Sequence, residues 1–129
     1  MYDDELLDRN LHPRFQGKLE VLPIKLVNSS CGDEIEIFLK VINDKIVDAR
    51  WQGKGCAISL ASADFFAESV INKRFKEALK LREEFENMIL GEKYNEELLG
   101  KAKALGCVSR MPARAKCAKL AWESLEKIA

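Results

Sequence analysis

Three cysteines and one aspartate are the residues of this chain whose types and settings best suit chemistry. Cys31-Gly32-Asp33 follows a polar turn and begins a strand pattern, so the thiol and the carboxylate point to the same side of an extended chain. Gly32 lets the backbone bend so that both groups can reach one ion. The alternative is a buried cysteine beside a turn-forming aspartate, because free cysteine is often buried.

Cys56 follows Gly53-Lys54-Gly55 and begins a helix rich in small residues. A thiol in the first turn of a helix lies near the positive end of the helix dipole and near free N–H groups, which favours a nucleophilic or metal-binding thiolate. The glycines indicate a loop that needs room or positive φ, and they lack the rest of either nucleotide-binding fingerprint. Functional and structural roles both stay open for Cys56.

Cys117 lies in a basic segment of a chain whose charges otherwise balance, with 21 basic and 21 acidic residues. Residues 100–120 include six basic side chains and no acidic one. Positive charge beside Cys117 favours its thiolate. The alternatives are a solvated basic helix face and a weak nucleic-acid patch, although no aromatic residue precedes Trp122 there to stack on bases.

Two further residues attract attention but have no partner pattern. Cys107 lies between two predicted helices, and we expect a structural role for it. His12 is the single histidine, and we expect it to cap a helix or to lie on the surface. With no second histidine and no Gly-x-Ser-x-Gly, serine hydrolases lack support, and a cysteine-nucleophile enzyme using Cys56 lacks a base.

Length and composition indicate one globular domain over residues 1–129. The chain is 47% hydrophobic and 33% charged, which argues against disorder. Its longest charge-free stretch, 55–63, is far shorter than the roughly 20 residues of a membrane span. The acidic N-terminus lacks the apolar core of a signal peptide. We therefore expect a soluble cytoplasmic protein with no membrane partner, whose cysteines are thiols or ligands.

The first half of the chain has strand patterns and the second half has helix patterns. A hairpin is predicted by alternation over Asp33–Val41, a tight turn at Asn43-Asp44 and a return over Lys45–Trp51. Leu19–Val27, interrupted by Pro23, predicts an edge strand or two short pieces. A short helix is predicted over Tyr2–Asn10.

Later helices are predicted after Gly55, up to Gly91, from Asn95 through Ala104 with a stop at Gly106, and from Pro112 onwards. This order predicts an α+β fold in which a small three-stranded antiparallel sheet carries four to five helices, most on one face.

Cys31, Asp33, Cys56 and Cys117 together make a set of four possible ligands. Tetrahedral zinc takes such a set, and thiolates also hold iron–sulfur clusters. The spacing alone is weak support, since the paired Cys-x-x-Cys of zinc knuckles is missing. An aspartate oxygen is harder than a thiolate sulfur, so its bond to a soft ion should be the easiest to exchange.

Three long segments carry a family resemblance. Asn28–Asp33, Trp51–Ala63 and Pro112–Trp122 resemble, in order and separation, the three cysteine motifs of the U-type iron–sulfur cluster assembly proteins (IscU, SufU and the NifU N-terminal domain). The stretch from His12 to Gly17 extends the resemblance over nearly the whole chain. It is closest to the SufU branch, because Lys116 replaces the histidine of IscU-like members and the helical segment before the third cysteine is long.

The resemblance implies roles for specific residues. Cys31, Asp33, Cys56 and Cys117 would bind zinc, as in the SufU branch, or a transient [2Fe-2S] cluster. Cys31 would accept persulfide sulfur from a cysteine desulfurase, with Cys117 as the rival acceptor and Arg114 orienting Asp33 or the thiolates. Apo iron–sulfur proteins would receive the product, and no nucleic acid is expected.

The chain departs from the family pattern at three positions. His12 stands where asparagine is usual, Ser30 stands where proline is usual, and Cys107 is an extra thiol that could intrude on ligation. The same four ligands would serve a zinc-bound sulfur relay or a cluster scaffold. The alternative function is a structural zinc-binding domain that binds RNA or protein through the basic segment.

Overall fold

A computed structural model describes residues 3–128. Its regular elements are α1 (Asp4–Leu11), β1 (Ile24–Asn28), β2 (Asp33–Ile42), β3 (Lys45–Lys54), α2 (Ala57–Val70), β4 (Lys73–Arg74), α3 (Phe75–Ile89), α4 (Glu96–Leu99), α5 (Ala115–Lys119) and α6 (Ser124–Lys127). Three 3₁₀ helices cover Gly100–Arg110, Pro112–Arg114 and Ala121–Glu123. Within residues 3–128 no helix has both the length and the apolar character needed to cross a membrane.

The strands form one antiparallel sheet in the order β1-β2-β3-β4, which confirms the predicted α+β class. The predicted strand number of three is wrong, because Lys73 and Arg74 pair with Ile46 and Lys45 at the start of β3. A two-residue strand directly after a helix is too short to show an alternating pattern. The described residues also contain six α-helices instead of four to five, since the C-terminal segment is broken into α5 and α6 by a 3₁₀ turn.

The β2–β3 hairpin has the predicted turn. Asn43 and Asp44 both adopt positive φ, at 50° and 67°, as a tight two-residue turn requires. The predicted alternation fails near this turn, because the register shifts between Lys40 and Val41 and leaves Val41 exposed. Phe38, which the strand alternation places on the face opposite to Ile37 and Leu39, is 4% exposed. The sheet therefore buries side chains on both faces at this point.

The C-terminal segment packs against α2 and α3 through aromatic side chains. The Trp122 ring stacks on Phe85 with centroids 4.2 Å apart and meets Phe66 edge-on at 5.2 Å. Trp122 Nε1 also donates to Ser62 Oγ at 3.1 Å, and that hydroxyl donates to the carbonyl of Ala118 at 2.5 Å. These contacts fix the position of α5 and of the following turn relative to the middle of α2.

The helices α1 and α4 begin at capping residues. Asp3 caps α1, but the predicted start at Tyr2 lies outside the described residues. Asn95 caps a helix as predicted, with its side chain accepting from Leu98 N at 3.2 Å. The predicted continuation to Ala104 as an α-helix is wrong, because Gly100 adopts a φ of 53° and the chain continues as a 3₁₀ helix through Gly106 to Arg110.

The N-terminal segment is held against α2 by a buried carboxylate. Asp64 is fully buried in the middle of α2 and accepts hydrogen bonds from four donors: Arg9 Nη1 at 3.2 Å, Arg14 N at 3.1 Å, Phe15 N at 2.7 Å and Trp51 Nε1 at 2.9 Å. Arg9 is also fully buried, with its guanidinium 4.4 Å from the ring centroid of Phe65. This network connects α1, the following loop and β3 to the helix that begins after Cys56.

Candidate metal centre

Cys31 and Asp33 lie at the start of β2, in and just after the turn from β1. The turn is closed by a hydrogen bond from Cys31 N to Asn28 O at 3.2 Å, and Gly32 adopts a φ of 70°. The bend predicted at Gly32 is therefore present. Asp33 is fully buried, whereas Cys31 is only partly buried.

The Asp33 carboxylate is held by three donors. Its Oδ1 accepts from Cys56 N and from Ser59 Oγ, both at 3.0 Å, and its Oδ2 accepts from Asn28 Nδ2 at 3.2 Å. A buried carboxylate needs such donors, because ionised groups are costly away from water. Oδ2 has one donor and Oδ1 has two, so more acceptor capacity remains at Oδ2 for a metal ion.

Cys56 is the N-cap residue of α2 and lies next to Asp33. Its backbone is extended, with φ −74° and ψ 166°, and its Sγ is 3.7 Å from Ser59 Oγ. The two preceding glycines serve the two predicted needs. Gly53 has positive φ, and a Cβ on Gly55 would lie 2.5 Å from Asp33 Oδ1. The absence of a side chain at Gly55 is therefore what lets the aspartate approach the helix start.

Cys117 reaches the cluster from α5 and is fully buried. Its Sγ accepts a hydrogen bond from Asn28 Nδ2 at 3.5 Å. Burial raises the pKa of the Cys117 thiol strongly, and interactions with Cys31, Asp33 and Cys56 raise it further. The expectation that nearby basic residues favour its thiolate is therefore wrong for the chain by itself, because desolvation outweighs those charges.

Arg114 brings a positive charge to these sulfurs. Its Nη1 lies 3.6 Å from Cys31 Sγ. The pKa of Arg114 is raised, first by its hydrogen bond to Cys117 and then by the charges of Cys56 and Cys31. The guanidinium thus interacts with all three thiols, and no hydrogen bond to Asp33 is among its contacts within residues 3–128.

Three of the four predicted ligands come together. Cys31 Sγ, a carboxylate oxygen of Asp33 and Cys117 Sγ all lie within 4.8 Å of one another. Tetrahedral ligands at zinc–sulfur bond length lie about 3.8 Å apart, so a modest contraction is enough for one ion. Cys56 is outside this mutual set, although its backbone N–H donates to Asp33 and its thiol helps to raise the pKa of Cys117. The donor set and the space at Gly55 fit a thiophilic metal.

The remaining sequence candidates lie elsewhere. Cys107 is partly buried in the long 3₁₀ helix, with its Sγ 4.0 Å from the carbonyl of Ala104. His12 caps the C-terminus of α1 through its backbone N–H and is exposed, which confirms the expected capping and surface position.

Sequence reasoning missed Asn28 and Ser59 as parts of the site. Asn28 pairs with Asp33 in the β1–β2 register, a relation that only a predicted hairpin register could have given. Ser59 is three residues after Cys56, a spacing that places both on one face of the first helical turn. That spacing was a usable signal.

The sheet is antiparallel and covered by helices, and cysteines and an aspartate gather where β2, α2 and α5 meet. This arrangement is typical of proteins that bind a metal ion or an iron–sulfur cluster through thiolates. Residues 1–126 match the family model described as the NifU-like N terminal domain, and the chain belongs to that family.

Full-length relatives have similar sequences and structures. The chain is 39% identical to the iron-sulfur cluster assembly scaffold protein IscU of Thermotoga maritima, covering 98% of this chain and 91% of that protein. It is 36% identical to the zinc-dependent sulfurtransferase SufU of Bacillus subtilis, covering 98% and 88%. A putative iron-sulfur cluster assembly scaffold protein for the SUF system, from Fervidobacterium islandicum, superposes with a TM-score of 0.91 at 38% identity, covering 98% and 94%.

Proposed function

We propose that this protein is an iron–sulfur cluster assembly protein, which accepts sulfur from a cysteine desulfurase and acts as a cluster scaffold or a zinc-dependent sulfur relay. The observation that carries this proposal is the gathering of Cys31, Asp33 and Cys117 within 4.8 Å, beside Cys56, in a chain of the NifU-like N-terminal family. Residues 1–129 form one assembly domain in this proposal.

Cys31, Asp33, Cys56 and Cys117 hold the metal. The names of the relatives from Bacillus subtilis and Thermotoga maritima support zinc in one case and cluster assembly in the other. A bound zinc ion supplies Lewis acidity and keeps its cysteine ligands deprotonated. A [2Fe-2S] cluster is the cargo. Gly55 leaves space for the carboxylate, and Arg114 balances the negative charge of the thiolates.

Cys31 is the sulfur acceptor because it is the accessible thiol that Arg114 contacts, whereas Cys117, the rival acceptor, is fully buried. The Cys31 thiolate attacks the outer sulfur of the desulfurase persulfide. A new S–S bond forms at Cys31, the S–S bond of the donor breaks, and the donor cysteine leaves as a thiolate, so no external oxidant or reductant is needed.

Partners and location follow from this role. A cysteine desulfurase docks at the open side of Cys31, and apo iron–sulfur proteins receive the sulfur or the cluster. The cytoplasm is the proposed location, because its reducing conditions keep thiols available for metal.

Single cysteine variants test the acceptor assignment. The metal-loaded protein is incubated with a desulfurase, cysteine and a persulfide-labelling reagent, and labelled peptides are mapped by mass spectrometry. Cys31→Ser should abolish acceptance, and Cys107→Ser is the matched control that should leave it unchanged. Labelling that survives in Cys31→Ser would contradict the assignment of Cys31, and labelling that survives in both Cys31→Ser and Cys117→Ser would contradict the proposed sulfur acceptance.

One observation favours the alternative, a structural zinc domain that binds RNA or protein. Among residues 3–128, no basic side chain of the 100–120 segment lies within 4.0 Å of a carboxylate; these side chains are Lys101, Lys103, Arg110, Arg114, Lys116 and Lys119. This alternative predicts salt-dependent RNA binding and unfolding by chelators. No RNA binding at low salt would remove its nucleic-acid form.

A further inference from the structure

The side-chain amide of Asn28 joins two of the candidate ligands. It is 7% exposed, and its Nδ2 lies 3.2 Å from Asp33 Oδ2 and 3.5 Å from Cys117 Sγ. An amide nitrogen carries two hydrogens, so one can be given to each ligand. Both donor hydrogens of Asn28 are therefore used on the metal centre.

The fold explains how one side chain reaches two ligands that are distant in sequence. Asn28 ends β1 and Asp33 begins β2, and the two residues are directly paired in the antiparallel register. Paired residues place their side chains on the same face of a sheet. Cys117 then approaches that face from α5, which the Trp122 stacking holds against α2 and α3.

The other two sulfurs have different surroundings. Cys31 Sγ is contacted by the guanidinium of Arg114 at 3.6 Å, and Cys56 Sγ lies 3.7 Å from the Ser59 hydroxyl. Both cysteines are partly exposed, whereas Asp33 and Cys117 are fully buried. Hydrogen bonds from fixed buried donors orient a ligand and tune its electron density, and they are lost only if the fold opens.

We propose that Asn28 is a positioning residue that holds Asp33 and Cys117 in place as ligands. This inference rests on the proposed metal-binding function. It reverses the expectation that the hard aspartate oxygen is the ligand that leaves. The harder oxygen has the weaker bond to a soft ion, but Asp33 is fully buried and three donors hold its carboxylate in place.

Asn28→Ala tests the role, with Ser29→Ala as the matched control on the neighbouring exposed turn residue. Zinc affinity is measured by competition with a chelator of known affinity, and the thermal stability of the metal-free protein is measured in parallel. Loss of a hydrogen bond to a ligand typically weakens metal binding about 10–100-fold. We expect that loss in Asn28→Ala and a change of less than about twofold in Ser29→Ala.

Cobalt(II) at saturation separates positioning from general destabilisation. The sulfur-to-cobalt charge-transfer band reports the electron density on the thiolates, and loss of the amide donor at Cys117 should move it to lower energy. An unchanged band in saturated Asn28→Ala overturns the inference, whatever the affinity. Asn28→Ser, which keeps a polar group in less volume, replaces the alanine variant if that variant does not fold.

The two proposals fail in different ways. If the unmodified protein binds neither zinc nor cobalt, the proposed function is wrong. If the unmodified protein binds metal and Asn28→Ala binds it with the same affinity and the same spectrum, only the role of Asn28 is wrong.

Discussion

Removing the charge of Asp64 should destabilise the protein strongly although Asp64 is remote from the ligands. In Asp64→Asn, the amide can keep its oxygen toward Phe15 N and Trp51 Nε1, where Oδ1 now accepts. Its NH₂ group then replaces Oδ2 and faces Arg9 Nη1, which is a donor itself. The buried guanidinium would be left with two partly exposed carboxylates, Glu68 Oε1 at 2.5 Å and Glu5 Oε1 at 3.9 Å.

The size of the effect follows from this geometry. Arg9 and Asp64 have fully buried side chains, and breaking such a pair by removing one partner costs about 3–5 kcal/mol. The total free energy of unfolding of a domain is about 5–15 kcal/mol, so a large fraction would be lost. Glu68→Gln is the matched control, because Glu68 is 33% exposed and the glutamine keeps an acceptor oxygen for Arg9. We expect this variant to lose at most about 1 kcal/mol of the free energy of unfolding.

Urea unfolding of the metal-free proteins measures both variants, and tryptophan fluorescence is a suitable signal because Trp51 donates to Asp64 itself. The expected result is a lower midpoint for Asp64→Asn with an unchanged dependence on urea concentration. An Asp64→Asn protein within about 1 kcal/mol of the unmodified chain would refute the view that this pair holds the N-terminal segment.

Two further predictions concern the site and the pH dependence of stability. Gly55→Ala should weaken zinc binding in a chelator competition, because its Cβ would lie 2.5 Å from Asp33 Oδ1; unchanged affinity would show that the aspartate needs no such space. The N–H of Asn95, and then Lys80, lower the pKa of Glu84 below its ordinary value of 4.5. The stabilisation is therefore complete above pH 4.5 and is lost as the pH falls through the lower pKa of the folded state. Glu84→Gln should lower the urea midpoint at pH 7 and should match the unmodified protein in acid. A difference in midpoint that does not change with pH would contradict this.

The parts of the fold that local chemistry decides could be predicted from sequence. The turn at Asn43-Asp44 and the bend at Gly32 depend on which residues tolerate positive φ, and both are present. The strand Lys73–Arg74 could not be predicted, because its pairing depends on where α2 ends in space. The 3₁₀ conformation of Gly100–Arg110 likewise has no periodic signal that separates it from an α-helix.

The same division applies to the site. The residue types around Cys31, Asp33 and Cys56 indicated a metal centre, because each ligand has neighbouring glycines in the sequence that permit the bend or the space it needs. The behaviour of Cys117 could not be predicted, because its high thiol pKa depends on burial by distant elements. Asn28 was missed for a related reason, as its two contacts require both the hairpin register and the docking of α5.

Cys31, Asp33, Cys56 and Cys117 are proposed to form one metal centre. Its most direct test is the metal and acid-labile sulfide content of protein purified anaerobically from iron-replete cells, beside an Asp33→Ala variant. The expected result is either about one zinc per chain without sulfide or iron with matching sulfide, and a loss of that metal in Asp33→Ala. Unmodified protein without stoichiometric metal, or an Asp33→Ala variant that retains all of it, would show that these residues do not form a metal centre.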